Sequence, residues 1–419
     1  MKNGDLDKDL LNRSAMRILL EKLTLKYLGS HRWLSSPVVK NTALSQIIQN
    51  DKKVIKFLID KIEKMKINFH PLKKIILTKD SKEREIYTQN WPDKIIQARV
   101  KEVIEDQLNK NLSHRVYSFQ TGKGPIHAIE SFLKFIKSQS DQTYILQLDI
   151  SKYGENIDKE KLFQILNEKL SLNENPKTKT ILKEIIYFQS DDAQPINKGL
   201  ASGTPLVPLF ENIYLSRFDF LQEQSTAKFY CRYGDDIIIA FNNELDLKKE
   251  LIAIEKELED SCLELNKEKS KITKLGHNNC IEWLGYKING KAETIQKEKH
   301  VKKICLEIKS EIHKHMHLLK TTRYNCNNYE GIKRGLEKLE ERIYEKYLNR
   351  VFHFFTSETE AKKIDKYRID QTHKALCKNL KIDKRKGWEI LRLIKHKSAN
   401  QVRMKFLRKR QWPKVPLKN

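Results

Sequence analysis

No apolar run in this sequence approaches the length of a membrane-spanning helix. Residues 1–9 carry no apolar stretch of the kind a secretory signal requires. Both absences lead to the expectation of a cytoplasmic protein. The six cysteines, Cys231, Cys262, Cys280, Cys305, Cys326 and Cys377, are scattered with no C-x-x-C pair, which argues for reduced thiols and against a disulfide framework or a zinc knuckle. His313, His315 and His317 crowd one predicted helix without a third ligand type nearby, so they read as part of a solvated basic helix. No internal repeat or low-complexity linker interrupts the chain, and no acidic residue follows Glu389. What is present in excess is positive charge. Among 419 residues, 81 Lys and Arg stand against 55 Asp and Glu, a formal net charge of +26. That surplus points to a polyanionic partner, with a membrane surface as the weaker alternative. The length allows two or three structural units.

Apolar periodicity predicts helices over 10–28, 54–65, 95–109, 125–136, 159–188, 206–222 and 245–265, and an almost continuous basic helical region from 299 onward. Strand patterns occupy 73–87, broken by a polar turn at 79–81, then 144–148 and 282–288. The tail around Arg408, Lys409 and Arg410 reads as a solvated or RNA-touching end.

The chemistry gathers at Tyr233-Gly234-Asp235-Asp236. β-branched and aromatic residues flank this tetrapeptide on both sides, and Gly234 supplies a turn, so the segment reads as a β-hairpin with two carboxylates at its tip. Adjacent like charges are costly unless a cation offsets them, and hard oxygen ligands suit Mg²⁺, with Mn²⁺ as a substitute. The bland alternative is a solvated Asp-Asp turn. Asp149, at the end of an apolar strand, is the natural companion of the pair; alone, such an Asp is usually a helix N-cap. Together the three acids can form a cage for two divalent ions. One ion activates a 3′-hydroxyl and the other neutralises a leaving pyrophosphate.

Around these acids several blocks occur in an order that resembles the bacterial reverse transcriptases of the retron, abortive-infection and defence-associated kind. The resemblance covers roughly residues 73–288. Residues 77–86 and 93–97 are similar to the fingers hairpin, which implies that Arg84 clamps the incoming triphosphate with help from Lys79 or Lys82. Residues 117–129 resemble the second finger motif, with Gln120 where many members have Arg, and with Gly122 and Gly124 flanking Lys123 so that backbone can approach a template phosphate. Residues 148–158 resemble the first palm motif, which implies Asp149 and the Ile150 carbonyl as metal ligands. Gly154 falls where the family usually carries the aromatic gate against a ribose 2′-hydroxyl; Tyr153 is the neighbour available to rotate in. Residues 199–215 align with the second palm motif through Gly199, Gly203, Pro205, Asn212, Tyr214 and Leu215, while Ala201, Ser202 and Val207 depart from it. Lys269 matches the Lys near the pyrophosphate, and Trp283-Leu284-Gly285 resembles the primer-grip hairpin; for Lys269 a plain surface lysine is the competing reading.

The resemblance implies an α+β right-hand polymerase. Its fingers with an N-terminal helical extension would lie in 1–140, its palm of antiparallel sheet and helices in 141–290 with a helical insertion at 159–198, and its basic helical thumb and tail in 291–419. The implied activity is RNA-directed DNA polymerisation from dNTPs by two-metal nucleotidyl transfer. The implied partners are an RNA template, a noncoding RNA in an antiphage role, and a DNA product or primer. Two other readings stand beside it. An RNA-templated RNA polymerase would tolerate Gly154, but Val207 and Glu211 occupy the positions where its motif needs Thr and Asn. A non-catalytic RNA-binding module is disfavoured because all three acids are intact. Template-independent or protein-primed synthesis remains open within the first reading. In the basic region Arg323, Tyr324, Tyr344, Lys346, Tyr347, Phe352, Phe354, Phe355 and Trp388 interleave in a way that suits either a thumb core or a duplex-gripping surface. No RNase H or endonuclease motif is recognisable.

Overall fold

The structure is a computed structural model that describes residues 5–28, 47, 50–79, 82–139, 143–191, 198–276, 279–296, 298–321, 329–348, 358–394, 398 and 401. It divides into two compact units, Met1–Ala128 with Tyr144–Ile272, and Ile129–Thr143 with Thr273–Asn419.

The first unit is built on a four-stranded sheet. β1 (Lys73–Lys79) and β2 (Lys82–Thr88) form a separate antiparallel hairpin in register Leu77 opposite Arg84. β3 (Thr143–Asp149) lies inside the main sheet, whose order places β4 (Phe229–Tyr233) and β5 (Asp236–Phe241) on one side and β6 (Lys271–Leu275) on the other. β5 is buried at every position after Asp236, as its unbroken Ile-Ile-Ile-Ala-Phe run requires of a strand covered on both faces. β3 pairs antiparallel with β5, and the last pair in the register is Asp149 with Asp236. The sheet's apolar side chains join those of the surrounding helices in one core containing Leu146, Leu148, Ile237, Ile239, Phe210, Phe218 and Leu258.

Local signals start the helices. Asn90 caps helix Trp91–Asn109 by accepting from Asp93 N at 2.9 Å, with Pro92 in the first turn where its missing N–H costs nothing. Asp158 and Asn243 cap Lys159–Lys169 and Glu244–Asp260 in the same way. Helix Pro176–Ile186 has no such bond from its own N-cap, Asn175. Its first amides are instead met from far away in sequence: the buried Asp7 carboxylate accepts from Lys177 N at 2.9 Å, Thr178 N at 2.8 Å and Thr178 Oγ1 at 2.8 Å. The N-terminal helices Leu6–Leu10 and Arg13–Leu28 are thereby part of the unit's core, through Leu6, Leu10, Met16 and Leu19. The stretch 159–188 is two helices, Lys159–Lys169 and Pro176–Ile186, parted by a 3₁₀ turn at Leu172–Glu174.

The second unit holds a small sheet of β7 (Cys280–Trp283), β8 (Tyr286–Asn289) and β9 (Thr294–Gln296) and the helices Glu298–Thr321, Tyr329–Ile343, Glu358–Leu380 and Lys384–Arg392. Ile308, Ile312, Leu336, Leu339, Ile364 and Leu376 form its core. One histidine expectation is corrected here. His315 is buried, its Nε2 lies 2.8 Å from the Gly335 carbonyl, and burial lowers its pKa, so it is a packing residue of the helical core. Arg368 is fully buried as well and pairs with Glu340. Of the interleaved aromatics, Tyr347 is buried, whereas Trp388 is 37% exposed and stacks on His373 at 4.1 Å between centroids. Arg323, Tyr324, Phe352, Phe354, Phe355 and the 408–410 tail lie outside the described residues, as does the side chain of Lys346.

Candidate active site

The Asp-Asp hairpin has a two-residue loop. Tyr233 pairs with Asp236, so Gly234 and Asp235 form the loop and Asp236 already belongs to β5. Gly234 takes φ +67° at the first loop position and no non-glycine residue of the loop has positive φ, the pattern of a type II′ turn that follows the twist of the strands. A Cβ at Gly234 would meet open space, so the requirement is conformational.

Beneath the loop lies a network that sequence reasoning missed. Arg232 and Asp219 are both fully buried and pair through two bonds of 2.7 Å, Nε to Oδ1 and Nη2 to Oδ2. The guanidinium also donates to the Gly234 carbonyl at 3.1 Å and to the Asn212 carbonyl at 3.1 Å. Asn212 in turn exchanges bonds of 2.8 Å with Ser118, and Tyr230 OH donates to Asp219 Oδ1 at 2.6 Å. Burial alone would lower the Arg232 pKa, but the Asp219 carboxylate outweighs it and keeps the guanidinium charged. One buried cation therefore ties the Gly234–Asp235 turn to the helix Val207–Tyr214 and to the 115–118 segment. The available signal was an arginine inside an otherwise apolar strand, which needs a buried anion.

Asp149 ends β3 under a second clamp. Asn266 N donates to its carbonyl at 2.8 Å, and Ser151 N donates to Glu264 O at 2.9 Å, so the bonds fall on either side of Ile150. The turn that follows brings Lys269 Nζ to 3.0 and 2.6 Å from the two Asp149 carboxylate oxygens. Asp235 is exposed at the tip, yet partial desolvation raises its pKa; Asp149 adds to that rise, while Lys269 and Arg84 oppose it. Asp149, Asp235, Lys269 and Arg84 thus share one electrostatic neighbourhood, and Asp236 is the register partner of Asp149. Among the described residues no three Asp, Glu, His or Cys side chains converge as a ready metal cage; the cation on Asp149 is an ammonium. The donor set is nonetheless all hard oxygen, with Asp149 and Asp236 paired in register and the Asp149 charge adding to the rise at Asp235, so the residues fit a divalent ion.

Other predicted residues are placed as follows. Gly203 sits at φ +100°, and a Cβ there would fall 2.6 Å from Ile86 Cγ2 and 3.0 Å from the Tyr87 carbonyl, so it is the β2 backbone that approaches this glycine. Tyr87 N donates to Ser202 O at 2.7 Å across the same contact. Pro205 follows that turn in the loop leading to Val207–Tyr214. Tyr153 is buried and its OH donates to the Glu211 carbonyl at 2.5 Å, so its ring is committed to the core and does not replace a gate. Lys123 folds back onto its own loop, donating to the His114 and Val116 carbonyls at 3.1 Å each, and Gln120 donates to Val116 O at 2.9 Å. Trp283 is buried and packs edge-on against Phe132, 5.8 Å between centroids, leaving Leu284 and Gly285, both at positive φ, as the part of that hairpin nearer solvent. The side chains of Lys79 and Lys82 lie outside the described residues.

A family model described as reverse transcriptase (RNA-dependent DNA polymerase) matches residues 72–288, just over half of the chain. The chain belongs to the reverse transcriptase family. The matched span contains β1 to β5, Arg84, the three acids, Lys269 and the Trp283 hairpin. Among solved structures, this reverse transcriptase is similar to apo telomerase from Candida tropicalis, with 14% identity, a TM-score of 0.47, and coverage of 74% of this chain and 62% of that one. It is also similar to telomerase from Candida albicans in complex with a fragment of telomeric RNA, with 12% identity, a TM-score of 0.44, and coverage of 82% and 63%. The chain thus spans less than two thirds of the length of these relatives. No curated protein matches the chain.

Proposed function

We propose that this reverse transcriptase copies an RNA template into DNA by metal-assisted nucleotidyl transfer at Asp149, Asp235 and Asp236. The observation that carries the reading is the convergence on one strand register: Asp149 faces Asp236, and Asp235 beside them responds to Asp149, Lys269 and Arg84. Asp149, Asp235, Asp236 and the Ile150 carbonyl would hold Mg²⁺, which when bound supplies activation of the 3′-hydroxyl and charge neutralisation on the phosphates. The chain's own cations do the rest. Arg84 approaches from β2 and suits bidentate phosphate binding, and Lys269 leaves Asp149 for the developing negative charge of the pyrophosphate. The basic helical region after residue 298 suits the role of a thumb on the template–primer backbone. The proposed setting, on resemblance alone, is antiphage defence in the cytoplasm with a noncoding RNA as template.

The test is incorporation of labelled nucleotides by the purified chain with Mg²⁺ on an RNA template. Asp149→Ala, Asp235→Ala and Asp236→Ala are each expected to lower the rate at least ~10³-fold, the scale of losing a main electrostatic element of the site. Synthesis that survives these substitutions removes the site assignment. Sequencing the nucleic acid that co-purifies with the protein identifies template and product together, and random cellular RNA in that fraction would remove the dedicated-template reading.

A further inference from the structure

The wall beside the catalytic acids carries an unused carboxyl. Glu211 lies on the helix Val207–Tyr214, whose next residue, Asn212, is held by the Arg232 network. Its Oε1 stands 2.9 Å from where a Cβ on Gly154 would be, and Ser202 Oγ stands 4.0 Å from the same point. A side chain at residue 154 and the Glu211 carboxyl therefore compete for one space, and here the carboxyl has it. Burial pushes its pKa up to about 7; the Asp235 charge adds to the rise and the Arg232 guanidinium opposes it. Among the described residues no group donates a hydrogen bond to it. A half-buried acceptor left without a donor beside a reaction centre is set to receive a hydroxyl from a substrate.

We infer that Glu211 reads the sugar of the incoming nucleotide, accepting a hydrogen bond from a ribose 2′-hydroxyl in the space that Gly154 leaves open, so that ribonucleotides are substrates alongside deoxyribonucleotides. The inference rests on the polymerase reading above: with the α-phosphate neutralised by the divalent ions that Asp149 and Asp235 would hold, the sugar attached to it faces the adjoining wall, which is Gly154, Ser202 and Glu211. Tyr153 does not close that wall, because its hydroxyl is bonded to the Glu211 carbonyl. A hydroxyl-reading site favours the substrate that carries the hydroxyl, since the analogue lacking it leaves the half-buried carboxyl without that donor.

The experiment measures kcat/KM for ATP and dATP, with Mg²⁺ and a primed template, for the full chain and for Glu211→Ala, Glu211→Gln and the double variant Gly154→Phe with Glu211→Ala. Equilibrium binding of the two nucleotides to the same proteins is followed in parallel. The wild type is expected to use ATP within about tenfold of dATP. Glu211→Ala should lower the ATP to dATP ratio by roughly tenfold or more, the scale of one hydrogen bond to a buried group. Glu211→Gln, which keeps an acceptor, should restore part of the ratio, and the double variant should lower it furthest. A wild type that rejects ATP by more than about a thousandfold, or a ratio indifferent to Glu211→Ala, overturns the inference while leaving DNA synthesis standing. Failure of the wild type to incorporate or bind either nucleotide overturns the polymerase reading and this one with it.

Discussion

Replacing Arg232 by Met puts the whole support of the Gly234–Asp235 turn to a quantitative test. The guanidinium has no solvent exposure, and its loss leaves the Asp219 carboxylate buried, with only the Tyr230 hydroxyl at 2.6 Å to answer it among the described residues. Removing one member of a buried pair costs roughly 3–5 kcal/mol, and the Gly234 and Asn212 carbonyls that lose a donor add about 1 kcal/mol each. For a unit of this size each kcal/mol shifts the melting temperature by roughly 2–4 °C, so the sum of about 5–7 kcal/mol means that Arg232→Met should lower it by roughly 10–30 °C. The assay is thermal unfolding followed by circular dichroism. Arg232→Met combined with Asp219→Leu separates the pair from mere packing. With both charges gone nothing ionic is stranded, and the double variant should melt clearly above Arg232→Met alone. At a temperature where both remain folded, the double variant should still incorporate nucleotide poorly, because the Gly234 carbonyl has lost its donor. A single variant within about 1 kcal/mol of wild type, or a double variant no better than the single, would refute the argument that one buried ion pair sets the hairpin.

Gly203→Ala meets both a left-handed backbone and Ile86 Cγ2 at 2.6 Å, so it should destabilise the first unit by about 2–3 kcal/mol; an unchanged melting curve would mean that β2 does not pack there. Glu211 gives a pH signature with a definite sign. Its folded pKa near 7 lies above the ordinary value of 4.5, so its contribution is fully present below about pH 4.5 and is lost as pH rises to about 7. Relative to wild type, Glu211→Gln should therefore gain melting temperature across that interval, and a gap that does not vary with pH would contradict the burial assigned to this carboxyl. Asp7→Ala removes three hydrogen bonds from the start of Pro176–Ile186 and should cost about 1–2 kcal/mol, read as faster hydrogen exchange at Lys177, Thr178 and Lys179; protection equal to wild type would count against the cap.

Much of this arrangement was legible in the residues. The apolar runs around Gly234, the turn at 79–81 and the strand ending in Asp149 each carry period-two or all-apolar patterns, and the structure has β1–β2, β3 and β4–β5 where those patterns lie. β6 and β9 were not foreseen. Lys271–Leu275 reads Lys-Ile-Thr-Lys-Leu, a largely exposed run inside a basic stretch with no clean period of two, and Thr294–Gln296 is only three residues, too short for a period to register. The buried ions were harder still. Asp219 sits in a helix of mixed polarity where an acid normally faces water, and only the fold brings Arg232 to it. The gate position shows the same limit: Gly154 was visible as a gap, but that Glu211 fills it depends on a helix 57 positions further along meeting the loop. At Lys123 the flanking glycines suggest a backbone approach to a template phosphate, while only the fold shows the ammonium bonded to the His114 and Val116 carbonyls of its own loop.

The pairing of β3 with β5 has a consequence for how the chain is made. Asp149 meets its cross-strand neighbour only when residue 236 has emerged from the ribosome, and its capping turn only when residue 270 has. Until then β3 carries two unpaired edges and an apolar face. Long-range closures of this kind are slow, and half-finished sheets are prone to stick to one another. The nascent first two hundred residues are thus an aggregation hazard during synthesis, and the chain acquires its carboxylate trio in a single late event rather than piece by piece.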